Sequence, residues 1–147
     1  MNTSGLKLTL EHPVFDAMLE AARRAAPLEA CGLLGGGDGH ATEFYELRNA
    51  DASGEHYRMK PEEQFAAVRD MRGKGVRMLA IWHSHPETPA RMSDEDLRLA
   101  YTPDVVYLIL SLSHPEQPDL RGFTVSGDGP EPVEVAITTL SSVRKRR

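Results

Sequence analysis

A largely apolar run, Arg77-Met78-Leu79-Ala80-Ile81-Trp82, ends in His83-Ser84-His85-Pro86, and this stretch restricts the fold more strongly than any other part of the chain. The run reads as a buried strand. On a strand, residues i and i+2 share a face, so His83 and His85 project the same way with backbones roughly 6–7 Å apart. One nitrogen from each ring can then reach a single ion at about 2.0–2.1 Å. Pro86 and Pro89 stop the strand and force a turn. Ser93-Asp94-Glu95-Asp96 next predicts a helix start, with Ser93 as N-cap, acidic residues in the first turn, and Leu97-Arg98-Leu99-Ala100 carrying it on. Asp96 falls at the third helical position, where its carboxylate can point back over the strand end, whereas Asp94, the competing carboxylate, faces elsewhere. Two histidines and one aspartate leave a fourth tetrahedral position for water, the pattern of catalytic rather than structural zinc.

Each half of this pattern is common by itself: His-x-His pairs occur without metal, and Ser-x-x-Asp before an apolar run is an ordinary helix cap. The conjunction is what points to a metal. Two other His-x-His families do not fit. Metallo-β-lactamase-like hydrolases continue into Asp-His, where this chain has Pro86-Glu87-Thr88. Amidohydrolases place the pair on a barrel of about 250 residues, and this chain has 147. Upstream, Glu29 stands at the mouth of a short apolar, glycine-flanked strand and is the candidate general base.

Glu29, His83-Ser84-His85-Pro86 and Ser93-x-x-Asp96 together resemble the motif of JAMM (MPN-plus) metalloproteases, a glutamate far upstream of His-x-His-x(10)-Asp. Glu29-Ala30-Cys31-Gly32 resembles the first strand of small bacterial members, and Asn49-Ala50 with Tyr57–Gln64 their linking segment, so the similarity spans residues 5–139. Met92 and Lys60 depart from it, standing where many relatives carry a proline and an acidic residue. The resemblance implies an α/β fold, a mixed, curved β-sheet flanked by helices with a cytidine-deaminase-like core. It implies one Zn2+ per chain held by His83, His85 and Asp96. Glu29 would take the proton of the attacking water and pass it to the leaving amine, and the Ser93 hydroxyl would stabilise the oxyanion. Ser93 is thus read in two ways, as helix cap or as oxyanion donor, with one geometry not expected to serve both; the resemblance favours the second.

Small bacterial members of the family trim the C-terminal tail of ubiquitin-like sulfur-carrier proteins to expose a diglycine end, which makes such a carrier the expected substrate. An isopeptidase that removes ubiquitin-like modifiers from lysine stays open. So does a non-catalytic binding scaffold, against which the intact Glu29, His83, His85, Ser93 and Asp96 argue.

Composition narrows the alternatives. A net charge of −5 and a pI near 5.7 argue against a general nucleic-acid binder, with the basic end Arg144-Lys145-Arg146-Arg147 as a local exception. The length suits one domain, expected over 1–140 with a disordered basic tail at 141–147. No run approaches the roughly 20 apolar residues of a membrane span, and Met1–Gly5 lacks a signal-peptide start, so a cytoplasmic location without membrane contact is expected. The lone Cys31 excludes an intramolecular disulfide and reads as a small buried side chain. A homodimer stays open.

The remaining elements follow from pattern. Leu6–Leu10, Glu29–Gly36, Ala41–Leu47, Met78–His85, Val105–Leu110, Leu120–Ser126 and Val133–Leu140 read as strands, with Val105–Leu110 central and a turn over Gly35–Gly39. A helix from Pro13 buries Val14, Met18, Leu19 and Ala22, and one from Pro61 carries Phe65, Val68 and Met71. Trp82 and Ser84 face away from the metal, and His12, His40, His56 and His114 read as surface histidines.

Overall fold

Alternation along the central strands divides the interior in two. In the computed structural model, which describes residues 7–138, β2 (Cys31–Gly37), β4 (Arg77–His85) and β5 (Val106–Ser111) are almost wholly buried. Leu34, Ala80, Trp82, Leu108 and Leu110 pack on one side with Val14, Met18, Ala21 and Ala22 of α1 (His12–Ala25). Leu33, Ile81 and Tyr107, one residue out of phase, pack on the other with Ala67 and Met71 of α2 (Pro61–Gly73). A sheet covered on both faces needs continuous apolar strands, which is why these segments lack polar alternation. His83 and His85 share the face of Ile81, the α2 side; Trp82 lies on the α1 side, fully buried, stacked on Phe44 and donating its indole N–H to Tyr45 O.

The other strands are β1 (Lys7–Leu10), β3 (His40–Leu47), β6 (Asp119–Ser126) and β7 (Gly129–Ile137), and α3 (Asp94–Leu99) lies in the crossover between the parallel strands β4 and β5. The order β1-β3-β2-β4-β5-β6-β7 closes on itself, because β1 pairs in parallel with β7 as well as with β3. The expected mixed, curved sheet flanked by helices is present, with the curvature carried to closure. Val106–Ser111 is the buried strand expected, lying between β4 and β6, although in a closed order no strand is central.

Several boundaries differ from expectation for physical reasons. β2 begins at Cys31, so Glu29 precedes the strand. The turn after it is only Asp38-Gly39, both at positive φ (52° and 74°), the two-residue hairpin that matches strand twist. The strand runs on to Gly37, pairing Gly36 with Ala41 and Gly37 with His40, and a Cβ at Gly36 would stand 1.9 Å from His40 O. β7 starts at Gly129, not Val133: Pro130 and Pro132 lie ahead of Glu134, where pairing with β1 begins, so their missing N–H groups leave no ladder bond unmade on that edge. Phe65 is 69% exposed, off the Ala67–Met71 stripe that α2 buries. The expected basic tail 141–147 lies outside the described residues.

Candidate metal centre

β4 is paired on both sides up to its histidines. Cys31 lies opposite His83 on β2, while His83 and His85 pair with Ile109 and Ser111 on β5. Both rings therefore leave a rigid ladder at its end. After Pro86 the chain turns back, and Pro89 O accepts the Nδ1–H of His85 at 2.8 Å. That bond fixes the tautomer and leaves the Nε2 lone pair of His85 facing the interior.

α3 brings the third donor. Ser93 Oγ accepts the Asp96 N–H and the Asp96 carboxylate accepts the Ser93 N–H, each at 3.0 Å, a reciprocal capping box that locks the first helical turn. Asp96 is thereby aimed at both imidazoles: its Oδ1 stands 3.2 Å from His83 Nε2, its Oδ2 3.1 Å from His85 Nε2, and the two nitrogens are 3.1 Å apart. Ligands at about 2.0–2.1 Å in a tetrahedron stand roughly 3.3 Å from one another. With His83 facing Oδ1 and His85 facing Oδ2, both imidazole nitrogens and the carboxylate edge come together at close to that spacing, the N, N, O donor set suits zinc, and all three residues are buried. Among the described residues this is the one group of His, Cys, Asp or Glu donors so converged. Asp94 is exposed and outside it.

Capping uses Ser93 as an acceptor only. A hydroxyl carries one proton and two lone pairs, so the O–H stays free to donate. The cap is present, and it leaves the hydroxyl proton uncommitted.

The charges in the cluster interlock. Burial pulls His83 below its ordinary value, favouring the neutral imidazole a metal requires. Burial acts on His85 in the same direction, but Asp96 and the Pro89 carbonyl outweigh it and leave His85 raised. Burial also pushes on the Asp96 carboxyl, and the bonds from His83, His85 and the Ser93 N–H override it, holding Asp96 well below the carboxylate range.

Glu29 arrives from the neighbouring chain segment. Ser84, on the face away from the converging donors, takes both sides of the step: Ala30 N donates to Ser84 Oγ at 2.8 Å and Ser84 N to Ala30 O at 2.9 Å. Residue 30 thus faces residue 84, and Glu29 comes beside His85 on the same face. Glu29 is 3% exposed, and its Oε1 has no hydrogen-bond partner among the described residues. Burial pushes its carboxyl up to about 8, with His85 opposing and Asp96 adding to the shift. The five residues named from sequence are therefore brought together.

Tyr57 went unrecognised as part of this site. Its ring stacks on His83 with centroids 4.6 Å apart and planes 26° apart, and forms a wall between the donors and a groove of about 350 Å³ lined also by Met59, Glu95, Leu99 and Tyr101. Only its place in the linking segment hinted at a role. A larger hollow around Arg91, Phe123 and Val133 includes none of the converging donors. His12 pairs with Asp16 and His56 with Asp51, away from the cluster. Cys31 is fully buried with its thiol pushed up to about 12 by burial, which suits an inert packing residue. Among the described residues no helix is long and apolar enough to cross a membrane.

Known proteins share this arrangement of chain. The model of the prokaryotic homologs of the JAB domain matches residues 11–125. The CysO-cysteine peptidase of Mycobacterium tuberculosis is 35% identical over 133 residues, covering 87% of this chain and 90% of its own. The desampylase of Haloferax volcanii is 33% identical over 113 residues, covering 71% and 81%. A Desulfitobacterium hafniense protein solved in solution superposes with a TM-score of 0.83 at 47% identity, over 89% of this chain and 92% of its own. With the family's match enclosing every residue from Glu29 to Asp96, the chain belongs to the prokaryotic branch of the JAB (JAMM/MPN) family.

Proposed function

We propose that the chain is a zinc-dependent peptidase that hydrolyses the peptide bond after the C-terminal diglycine of a ubiquitin-like sulfur-carrier protein. The observation that carries this reading is the buried convergence of His83, His85 and Asp96, with the two Nε2 atoms 3.1 Å apart and each 3.1–3.2 Å from an oxygen of the Asp96 carboxylate, beside the buried carboxyl of Glu29. His83 Nε2, His85 Nε2 and an Asp96 oxygen would hold the ion. When bound, zinc supplies Lewis acidity that brings the pKa of water down towards about 7 and polarises a carbonyl.

The chain's own groups do the rest. Glu29 accepts the proton of the attacking water at its unpartnered oxygen and returns it to the leaving amine; burial favours the protonated form that carries the proton between the two steps, and a cation held by the neighbouring donors would favour the ionised form that begins the cycle. The free O–H of Ser93 donates to the oxygen that gains charge in the tetrahedral intermediate. Asp96, held ionised, stays a ligand and does not compete for the proton. The groove behind Tyr57 offers room for an extended tail. Relatives named as a CysO-cysteine peptidase and a desampylase support the substrate class.

The test is a panel of ubiquitin-like sulfur carriers bearing C-terminal extensions, incubated with protein of measured zinc content. One zinc per chain and release of the extension after diglycine are expected. An uncut panel refutes the substrate; absence of stoichiometric zinc favours a scaffold. Lysine-linked conjugates assayed beside the linear extensions separate a peptidase from an isopeptidase.

A further inference from the structure

Glu29 lies where the sheet supports it on one side only. Towards β4, the exchange between Ala30 and Ser84 fixes the backbone next to it. Towards β3, the last ladder partners are Cys31 and Leu47, where β3 ends. Continued by two residues, that antiparallel register would set Asn49 opposite Glu29. Asn49 makes the missing bond with its side chain instead: Nδ2 donates to Glu29 O at 3.2 Å.

The same amide organises everything around it. Nδ2 also donates to His56 O at 3.0 Å and lies 3.4 Å from Ser53 O, while Oδ1 accepts the N–H groups of Asp51 and Arg58, each at 3.1 Å. Ala50 N donates to Arg58 O at 2.8 Å and closes the base of the loop. The loop so folded presents Ser53 O to the N–H of Glu29 at 2.8 Å and carries Tyr57 onto His83. Both backbone groups of Glu29 thus end on a loop that one side chain shapes. Gly54 shows how closely that loop is seated, since a Cβ there would stand 2.6 Å from Pro27 O.

We infer that Asn49 is a positioning residue: by folding residues 49–58 onto the backbone of Glu29 it sets where that carboxylate stands relative to His83, His85 and Asp96. The inference rests on Glu29 as the proposed base and deepens that reading. Glu29 Oε1 has no partner of its own among the described residues, so placement of the carboxylate falls to the backbone. A displacement of about 1 Å of a reacting group costs about 10²-fold in rate.

The experiment compares Asn49→Ala, Asn49→Asp and Gly54→Ala with the wild-type chain. Amide hydrogen exchange, read on the metal-free proteins, should speed up about 10-fold or more at Glu29 while Leu33, within β2, stays protected. On a carrier with a C-terminal extension, kcat should fall about 10–100-fold with KM within about twofold and zinc content unchanged. Asn49→Asp keeps the acceptor but loses the donor to Glu29 O, so it should behave like Asn49→Ala. In a Glu29→Gln background, Asn49→Ala should cost less than about twofold further, because Asn49 acts through the residue already disabled. If Asn49→Ala fails to fold, Gly54→Ala provides the same readings with Asn49 intact. Unchanged exchange at Glu29, or a kcat loss of full size in the Glu29→Gln background, overturns the inference. A wild-type protein that cuts no carrier refutes the substrate reading instead, and the exchange measurement still decides the role of Asn49.

Discussion

The two histidines and Glu29 are neighbours across one step of the sheet, yet they are held by different means. His83 stands on a strand paired on both flanks and His85 is paired with Ser111 of β5, so their positions follow mainly from a period of two and from ladder bonds between backbones. Glu29 precedes its strand, and one of its flanks is completed by a loop and a side-chain amide. The ligand pair is thus placed by regular structure and the carboxylate by an assembled one. Damage to the first should remove the metal, and damage to the second should leave the metal and remove the chemistry.

The largest expected effect tests the ligand side. Asp96→Ala takes away one corner of the donor triangle and half of the capping box, so zinc should fall from one per chain to none, with activity at background. Metal analysis beside a peptidase assay checks both; retained zinc with full activity would break the assignment.

Glu29→Gln comes next. Zinc content should be unchanged while kcat falls about 10²–10⁴-fold. The same variant has a pH signature in the metal-free protein. The Glu29 carboxyl is raised from 4.5 to about 8 in the folded chain. Below 4.5 both folded and unfolded states hold the proton, and no cost arises. Between 4.5 and 8 the unfolded state releases it first, so stability falls as pH rises, at about 1.4 kcal/mol per unit, and the loss is complete above 8. Urea unfolding at pH 5 and pH 8.5 should show this decline in the wild type, and a smaller one in Glu29→Gln.

Ser93→Ala should cost about 1 kcal/mol of stability through the lost cap, and about 10²-fold in kcat if the hydroxyl also donates to the oxyanion. Ser93→Thr, which retains acceptor and donor, should restore most of both. A stability loss with kcat intact would confine Ser93 to capping. The smallest effect is a null one: with its thiol pushed up to about 12 and no exposed surface, Cys31 should resist a thiol reagent at pH 8 until the protein is unfolded.

What could be read beforehand follows the same division. The histidine pair, the capped helix start and Asp96 at its third position are features of spacing within a few residues, and the fold reproduces them. The apolar runs of β4 and β5 mark the strands buried on both faces for the same reason. Glycines blur the end of the second strand: Gly35 and Gly36 read both as its last residues and as the start of the turn, and the strand runs on through Gly37, with Gly36 in close approach to the neighbouring strand. Helical spacing groups Phe65 with Val68 and Met71, yet Met71 is buried and Val68 packs against the same cluster while Phe65 stays exposed. The partnership of Tyr57 with His83, and of Asn49 with Glu29, joins residues 26 and 20 positions apart through a loop without periodicity. No local pattern announces such contacts.

The seam between the first strand and the last has its own consequence. Lys7–Leu10 pairs with Glu134–Ile137, so the ring is completed by a segment that emerges from the ribosome after every donor residue has been made. Until then β1 and β6 each present a bare edge open to pairing with other chains. A protein halted before Gly129 would carry the whole constellation from Glu29 to Asp96 and still lack the stave that seals the wall around it. The strand that closes the ring thus supplies not one of the converging groups.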